Sequence, residues 1–128
     1  LNPGEVKVDT RTLRHMSVFD RHMNLYPITA KKLVYATLTD TDIAIYELNQ
    51  TYLDIEKYGV RSLVIDDNRP ELGTEIDIVS GYWDRGYRCH IEKFIYKLKE
   101  GGWTFSDSLR FSETGCKTKG GTSGSPII

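Results

Sequence analysis

The chain has little of what marks several specialised protein classes, and each shortage excludes something. Its 17 Lys and Arg are balanced by 18 Asp and Glu, for a net charge of -1. No broad basic field is there to attract nucleic acid or an anionic membrane surface, so neither is expected as a partner. No apolar run approaches the roughly 18 residues that cross a bilayer, and Leu1–Thr10 has neither the basic start nor the apolar stretch of a secretory signal. If the protein is exported, its signal lies outside this chain. Only two cysteines occur, Cys89 and Cys116, which excludes a disulfide-scaffolded miniprotein, and their spacing fits no zinc motif. A single bridge and two separate buried thiols both stay open, because geometry decides between them. Repeats and low-complexity segments are also missing. What remains, at 128 residues with 39% hydrophobic and 27% charged side chains, is an ordinary folded protein rather than a disordered one.

Short alternating segments separated by turn formers run through the sequence, which is the pattern of strands. Val6 and Val8 share a face in Glu5–Asp9, and Lys32–Leu38 repeats the pattern. Asp42–Leu48 has apolar residues on both faces, which predicts a strand packed centrally and buried on both sides. Thr51–Tyr58 reads as one or two helical turns, capped by Thr51 and stopped at Gly59. Asp66-Asp67-Asn68-Arg69-Pro70 gathers turn formers and charge between apolar segments, as a connection between domains would. Beyond it Ile76 and Ile78 alternate with acids, and Phe94, Tyr96 and Leu98 share one face of the next strand. Gly101-Gly102 makes a turn, and Trp103–Phe105 and Leu109–Phe111 read as two short strands broken by Ser106-Asp107-Ser108.

The most informative stretch is Gly120-Gly121-Thr122-Ser123-Gly124-Ser125-Pro126-Ile127-Ile128. Glycines on either side let a serine sit on a tight, exposed bend. Such a bend can lift the Ser123 hydroxyl toward a base and aim the N–H groups of Gly121 and Ser123 at one point, where a tetrahedral oxyanion would form. Pro126 then fixes the exit, and Ile127-Ile128 would begin a buried strand. A flexible Gly/Ser linker is the ordinary reading of such composition, but a linker would not run straight into Pro-Ile-Ile.

Gly-x-Ser-Gly-Ser-Pro followed by branched apolar residues closely resembles the nucleophile motif of trypsin-like serine proteases, and within them the glutamyl endopeptidase branch. Asp42-Ile43-Ala44-Ile45 is similar to the family segment that carries the triad aspartate, and Gly73–Tyr82 is similar to the first strand of the second barrel. The resemblance covers about residues 28–128. It implies an all-β fold of two six-stranded antiparallel Greek-key barrels, of which this chain would supply part: 1–65 from the N-terminal barrel, 66–72 as the connection, and 73–128 from the C-terminal barrel. It also implies a peptide-bond hydrolase that needs no metal or cofactor and acts on polypeptide substrates. Ser123 would be the nucleophile, Asp42 the acid that orients a histidine, and the Gly121 and Ser123 amides the oxyanion hole.

The base is the missing part. None of the three histidines sits in the Thr-Ala-x-His-Cys setting of the family. His90 follows Asp42 in the order of the chain, His22 has no motif, and His15 retains only Thr12 three residues before it. The expected catalytic histidine lies just upstream of Leu1, with His15 as the weaker candidate within the chain. Lys117 and Thr118 stand where the resemblance places the substrate pocket. With no acid nearby they suit an acidic side chain rather than lysine or arginine, while a plain exposed loop is the other reading. Thr122 replaces the aspartate of animal digestive enzymes, which points away from their activation by a new amino terminus and toward a bacterial secreted or periplasmic protein. The alternative function is a catalytically inactive member of the fold that serves as a binding module.

Overall fold

The computed structural model describes residues 1–128. The protein is all-β, with one short helix and two antiparallel three-stranded sheets. In chain order the elements are β1 (Val6–Phe19), β2 (Leu25–Thr37), β3 (Ile43–Leu48), α1 (Tyr52–Glu56), β4 (Glu75–Ser80), β5 (Arg85–Glu100) and β6 (Trp103–Phe111). The sheets have the orders β1-β2-β3 and β4-β5-β6. Two compact units divide the chain: Leu1–Ile65 with the hairpin tip Lys97–Ser106, and Asp66–Tyr96 with Asp107–Ile128.

In the first unit, burial follows position in the sheet. The buried residues Ile28, Ala30, Ala36 and Thr37 all belong to β2, the strand with a neighbour on each side. Val6, Val8 and Leu13 of β1 are exposed, as are Ile43 and Ile45 of β3. The expectation that Asp42–Leu48 packs centrally is thus corrected: β3 is an edge strand, and its branched residues serve the pleated backbone rather than a two-sided core. Two residues of β1, Thr12 and Leu13, face one of β2 between the pairs Arg11↔Lys32 and Arg14↔Ala30, which forms a bulge. Exposed ion pairs link the strands on either side of β2, Lys32 to Asp9 (2.6 Å) and Lys31 to Glu47 (2.8 Å). At such exposure each adds about 0–1 kcal/mol.

Helix α1 forms where local chemistry directs it. Thr51 Oγ1 accepts from the Asp54 amide (3.2 Å), while Asp54 Oδ2 accepts from the Thr51 amide (3.1 Å), a reciprocal capping box. Gly59, at φ +77, ends the helical turn after its amide donates to Glu56 O. Ile55 is buried, and Tyr58 stacks on Tyr26 of β2 with ring centroids 4.3 Å apart.

The second unit has the denser core. Ile76 and Ile78 from β4, Tyr87, Cys89 and Ile91 from β5, and Cys116 are all buried together, with Phe94, Leu109 and Phe111 packed against them. The alternation in β4 and β5 is that of strands with one covered face. Cys89 and Cys116 form a disulfide, with Cα atoms 5.5 Å apart. Trp103–Phe111 is one continuous strand rather than two: Asp107 adopts φ +48, so the chain kinks there without leaving the sheet.

Two outcomes follow. The side-chain and backbone donors of Thr51, with Lys57, hold the Asp54 carboxyl at about 2, below its ordinary 3.8. A lowered carboxyl stabilises the cap above its unfolded value and loses that contribution as pH falls through the folded one. Carbon-13 titration should therefore place Asp54 at about 2, with α1 losing the contribution of its cap as pH falls from the ordinary 3.8 through that value. Separately, the bridge closes a loop of 27 residues, so Cys89→Ala with Cys116→Ala should lower unfolding stability by about 3 kcal/mol in urea melts.

Candidate functional site

The segment after Cys116 is built from two linked turns. The Thr122 amide donates to Lys119 O (3.1 Å), closing Lys119–Thr122, and the Ser125 amide donates to Thr122 O (3.1 Å), closing Thr122–Ser125. Gly121 at φ +95 and Gly124 at φ +81 occupy the third positions, where a type II turn requires positive φ. Ser123 lies at the second position of the second turn and is exposed. The Thr122 hydroxyl also donates to Lys119 O (2.8 Å), which braces the first turn. No group of the chain accepts a hydrogen bond from the Gly121 or Ser123 amide.

Both ends of this segment are anchored. On the entry side the disulfide ties Cys116 to β5, and Gly115 at φ +84 presses against the backbone of the same strand, so that a Cβ there would overlap the Arg88 carbonyl oxygen. On the exit side Ile127 bridges Ile78 in antiparallel fashion, with Asp77 and Ile128 exchanging two backbone hydrogen bonds (2.8 Å each) and the Val79 amide donating to Pro126 O (3.3 Å). The exit segment does pair as a strand, but the expected burial is absent: Ile127 and Ile128 are 50% and 60% exposed, because β4 offers them an edge and nothing covers their side chains. Asp77 is held again by its side chain. Arg88 Nε and Nη2 each donate to one of its oxygens at 2.8 Å, which draws the Asp77 carboxyl below its usual range and the guanidinium above its own.

An aromatic shelf supports the middle. Tyr82 and Trp83, in the turn between β4 and β5, meet edge to face with centroids 5.0 Å apart. Trp83 Nε1 donates to Gly120 O (3.0 Å), and Lys119 Nζ stands 5.5 Å over the indole ring. A Cβ at Gly121 would come within 3.1 Å of the Tyr82 ring and 3.3 Å of Trp83 Nε1. Neither aromatic residue nor Gly115 was singled out by sequence reasoning. Trp83 had a local signal, an aromatic pair beside Gly81 at the end of a strand, but its partner lies far along the chain.

No protein-family model, curated protein or solved structure matches the chain. The residues themselves carry the reading. Lys117 and Thr118 lie exposed on the same segment as Gly121 and Ser123, with the Thr118 amide turned back onto Cys116 O (2.8 Å). Asp42 belongs to the other unit, exposed, immediately before β3.

Register locates the histidines. Ile43 pairs with Thr37, which pairs with Val6, so Asp42 stands at the end of the sheet where β1 begins. His15 pairs with Thr29, next to the row Arg14, Ala30 and Leu48 at the opposite end of β3. A six-residue strand separates the two ends, roughly 20 Å at about 3.3 Å per residue, so His15 is too far from Asp42 to share a hydrogen bond. His22 lies farther still, in the β1–β2 turn, where its Nε2 accepts from Arg21 Nε (3.1 Å). His90 pairs with Glu75, at the end of β4 away from the Tyr82–Trp83 shelf.

Gly115 offers the sharpest mutational test of the anchoring. With positive φ and a carbonyl oxygen in the space of the new methyl group, Gly115→Ala should cost about 2–4 kcal/mol in chemical denaturation, whereas Gly120→Ala, with open space around it, should change stability little.

Proposed function

We propose that the chain is part of a trypsin-like serine endopeptidase in which Ser123 is the nucleophile. The observation that carries this reading is the anchored double turn: an exposed serine between glycines of positive φ, with the Gly121 and Ser123 amides free of partners within the chain. The two sheets then contribute to the two barrels of that fold.

The chemistry assigned to these residues is acyl transfer. Ser123 Oγ attacks the scissile carbonyl carbon while its proton passes to an imidazole, and the carbonyl oxygen, now negative, takes hydrogen bonds from the Gly121 and Ser123 amides. The tetrahedral intermediate collapses with loss of the amine, which receives the proton back, and leaves an ester on Ser123. Water, deprotonated by the same imidazole, then releases the carboxylic acid and restores the hydroxyl. Asp42 fixes the tautomer of the imidazole and stabilises its cation. Lys117 and Thr118 are assigned to the pocket for the substrate side chain, where the lysine charge and threonine hydroxyl suit a carboxylate.

The histidine is assigned to the segment just upstream of Leu1. Sheet register supports this: the start of β1 lies beside the end of the sheet that bears Asp42, and the Gly4 amide donates to Thr39 Oγ1 (2.8 Å) in the β2–β3 turn. The Thr37 hydroxyl adds a bond to Glu5 O (3.1 Å). The disulfide is compatible with a secreted or periplasmic setting, and the proposed source is bacterial. An inactive binding module of the same fold is the second reading, favoured by the remoteness of His15 and His22 from Asp42.

Treatment of the full-length protein with a fluorophosphonate probe separates them. The wild type should be labelled, and Ser123→Ala should lower labelling by about 10³-fold or more. Equal labelling of both would remove Ser123 from the mechanism, and a folded but unlabelled wild type would favour the binding module.

A further inference from the structure

We propose that Trp83 is a positioning residue whose indole N–H locks the Gly120–Gly121 peptide with the Gly121 amide directed toward the oxyanion position. The inference rests on the protease reading above and adds a residue to it. A β-turn has one mobile part, its central peptide, which can rotate by roughly half a turn while the flanking residues stay in place; this rotation converts type I into type II. In Lys119–Thr122 that central peptide joins Gly120 to Gly121, so the amide assigned to the oxyanion sits on the unit most able to turn away. Glycine on both sides makes the rotation easier still.

Trp83 decides the orientation. Its Nε1 donates to Gly120 O at 3.0 Å, and Gly121 at φ +95 marks the type II form. The peptide is planar and trans, so its N–H points opposite to its C=O. Holding the Gly120 carbonyl toward the indole therefore turns the Gly121 N–H away from it, where it has no partner within the chain. Rotation would exchange an indole–carbonyl hydrogen bond for an N–H facing an N–H. The shelf also crowds Gly121, since a Cβ there would meet the Tyr82 ring and Trp83 Nε1 closer than ordinary van der Waals contact.

Burial does not explain this bond. Trp83 is 43% exposed, so its N–H would find water if Gly120 were absent, and the ring already packs against Tyr82 and beneath Lys119. The hydrogen bond acts on the direction of one peptide, which is what an oxyanion hole depends on.

The test compares the full-length wild type with Trp83→Phe and with Trp83 replaced by benzothienylalanine, which keeps the bicyclic shape and has sulfur in place of the N–H. Second-order labelling of Ser123 by a fluorophosphonate and hydrolysis of p-nitrophenyl acetate are the readouts, with thermal melting as a check on folding. Loss of a whole oxyanion donor costs about 10²–10³ in rate, so misdirecting one should slow labelling and kcat by about 10- to 100-fold in both variants. KM should stay within about twofold and the melting temperature of the benzothienylalanine protein should be unchanged. Variants that label and turn over at the wild-type rate, or that raise KM with kcat intact, would overturn the role of Trp83 and leave the protease reading standing. An unlabelled wild type would overturn both. If Trp83→Phe unfolds, the benzothienylalanine protein decides.

Discussion

The pairing of Pro126–Ile128 with β4 is the constraint on which the candidate site depends. Backbone hydrogen bonds fix Asp77 to Ile128 in both directions, and the bidentate contact from Arg88 fixes the side chain of the same aspartate. At the other end of the segment the disulfide and the close approach of Gly115 to Arg88 hold the chain against β5. A short loop tied at both ends to one rigid sheet has few conformations to lose. The turns around Ser123 thus need only a few hydrogen bonds and an aromatic shelf to become specific.

The first unit is organised differently. Its buried residues are concentrated in β2, and both neighbours of that strand expose branched side chains. In this unit register, rather than a deep core, decides which residues lie together. Pairing places the beginning of β1, the β2–β3 turn and Asp42 at one end of the sheet, and all of its histidines toward the other. The Asp42 carboxylate, just before the edge strand β3, is exposed there.

What was legible in the sequence follows from how local each feature is. Thr51 and Gly59 declare a helix and its end because the cap hydrogen bonds and the positive φ involved lie within a few residues. Ile76 and Ile78 declare a strand with one covered face because period two has few other causes. Non-local properties were less readable. Whether Asp42–Leu48 lay at the centre or edge of its sheet depends on neighbours elsewhere in the chain, and its composition alone suggested the wrong answer. Ser106-Asp107-Ser108 looked like a break, yet a single residue of positive φ was enough to keep β6 continuous. The bond from Trp83 to Gly120 and the contact between Gly115 and Arg88 join distant positions and leave no pattern in a linear reading. The glycine-flanked bend at Ser123 was legible, since few residue types allow it.

The neighbouring glycines at 120 and 121 are unequal partners. Gly121 is confined by its backbone angle and by aromatic rings, while Gly120 has an ordinary φ and open surroundings. The second glycine is therefore obligatory and the first is permissive. Evolution or an engineer can place a side chain at 120 and reshape the rim beside the serine, introducing charge, bulk or a reactive handle, without disturbing the backbone that holds the hydroxyl.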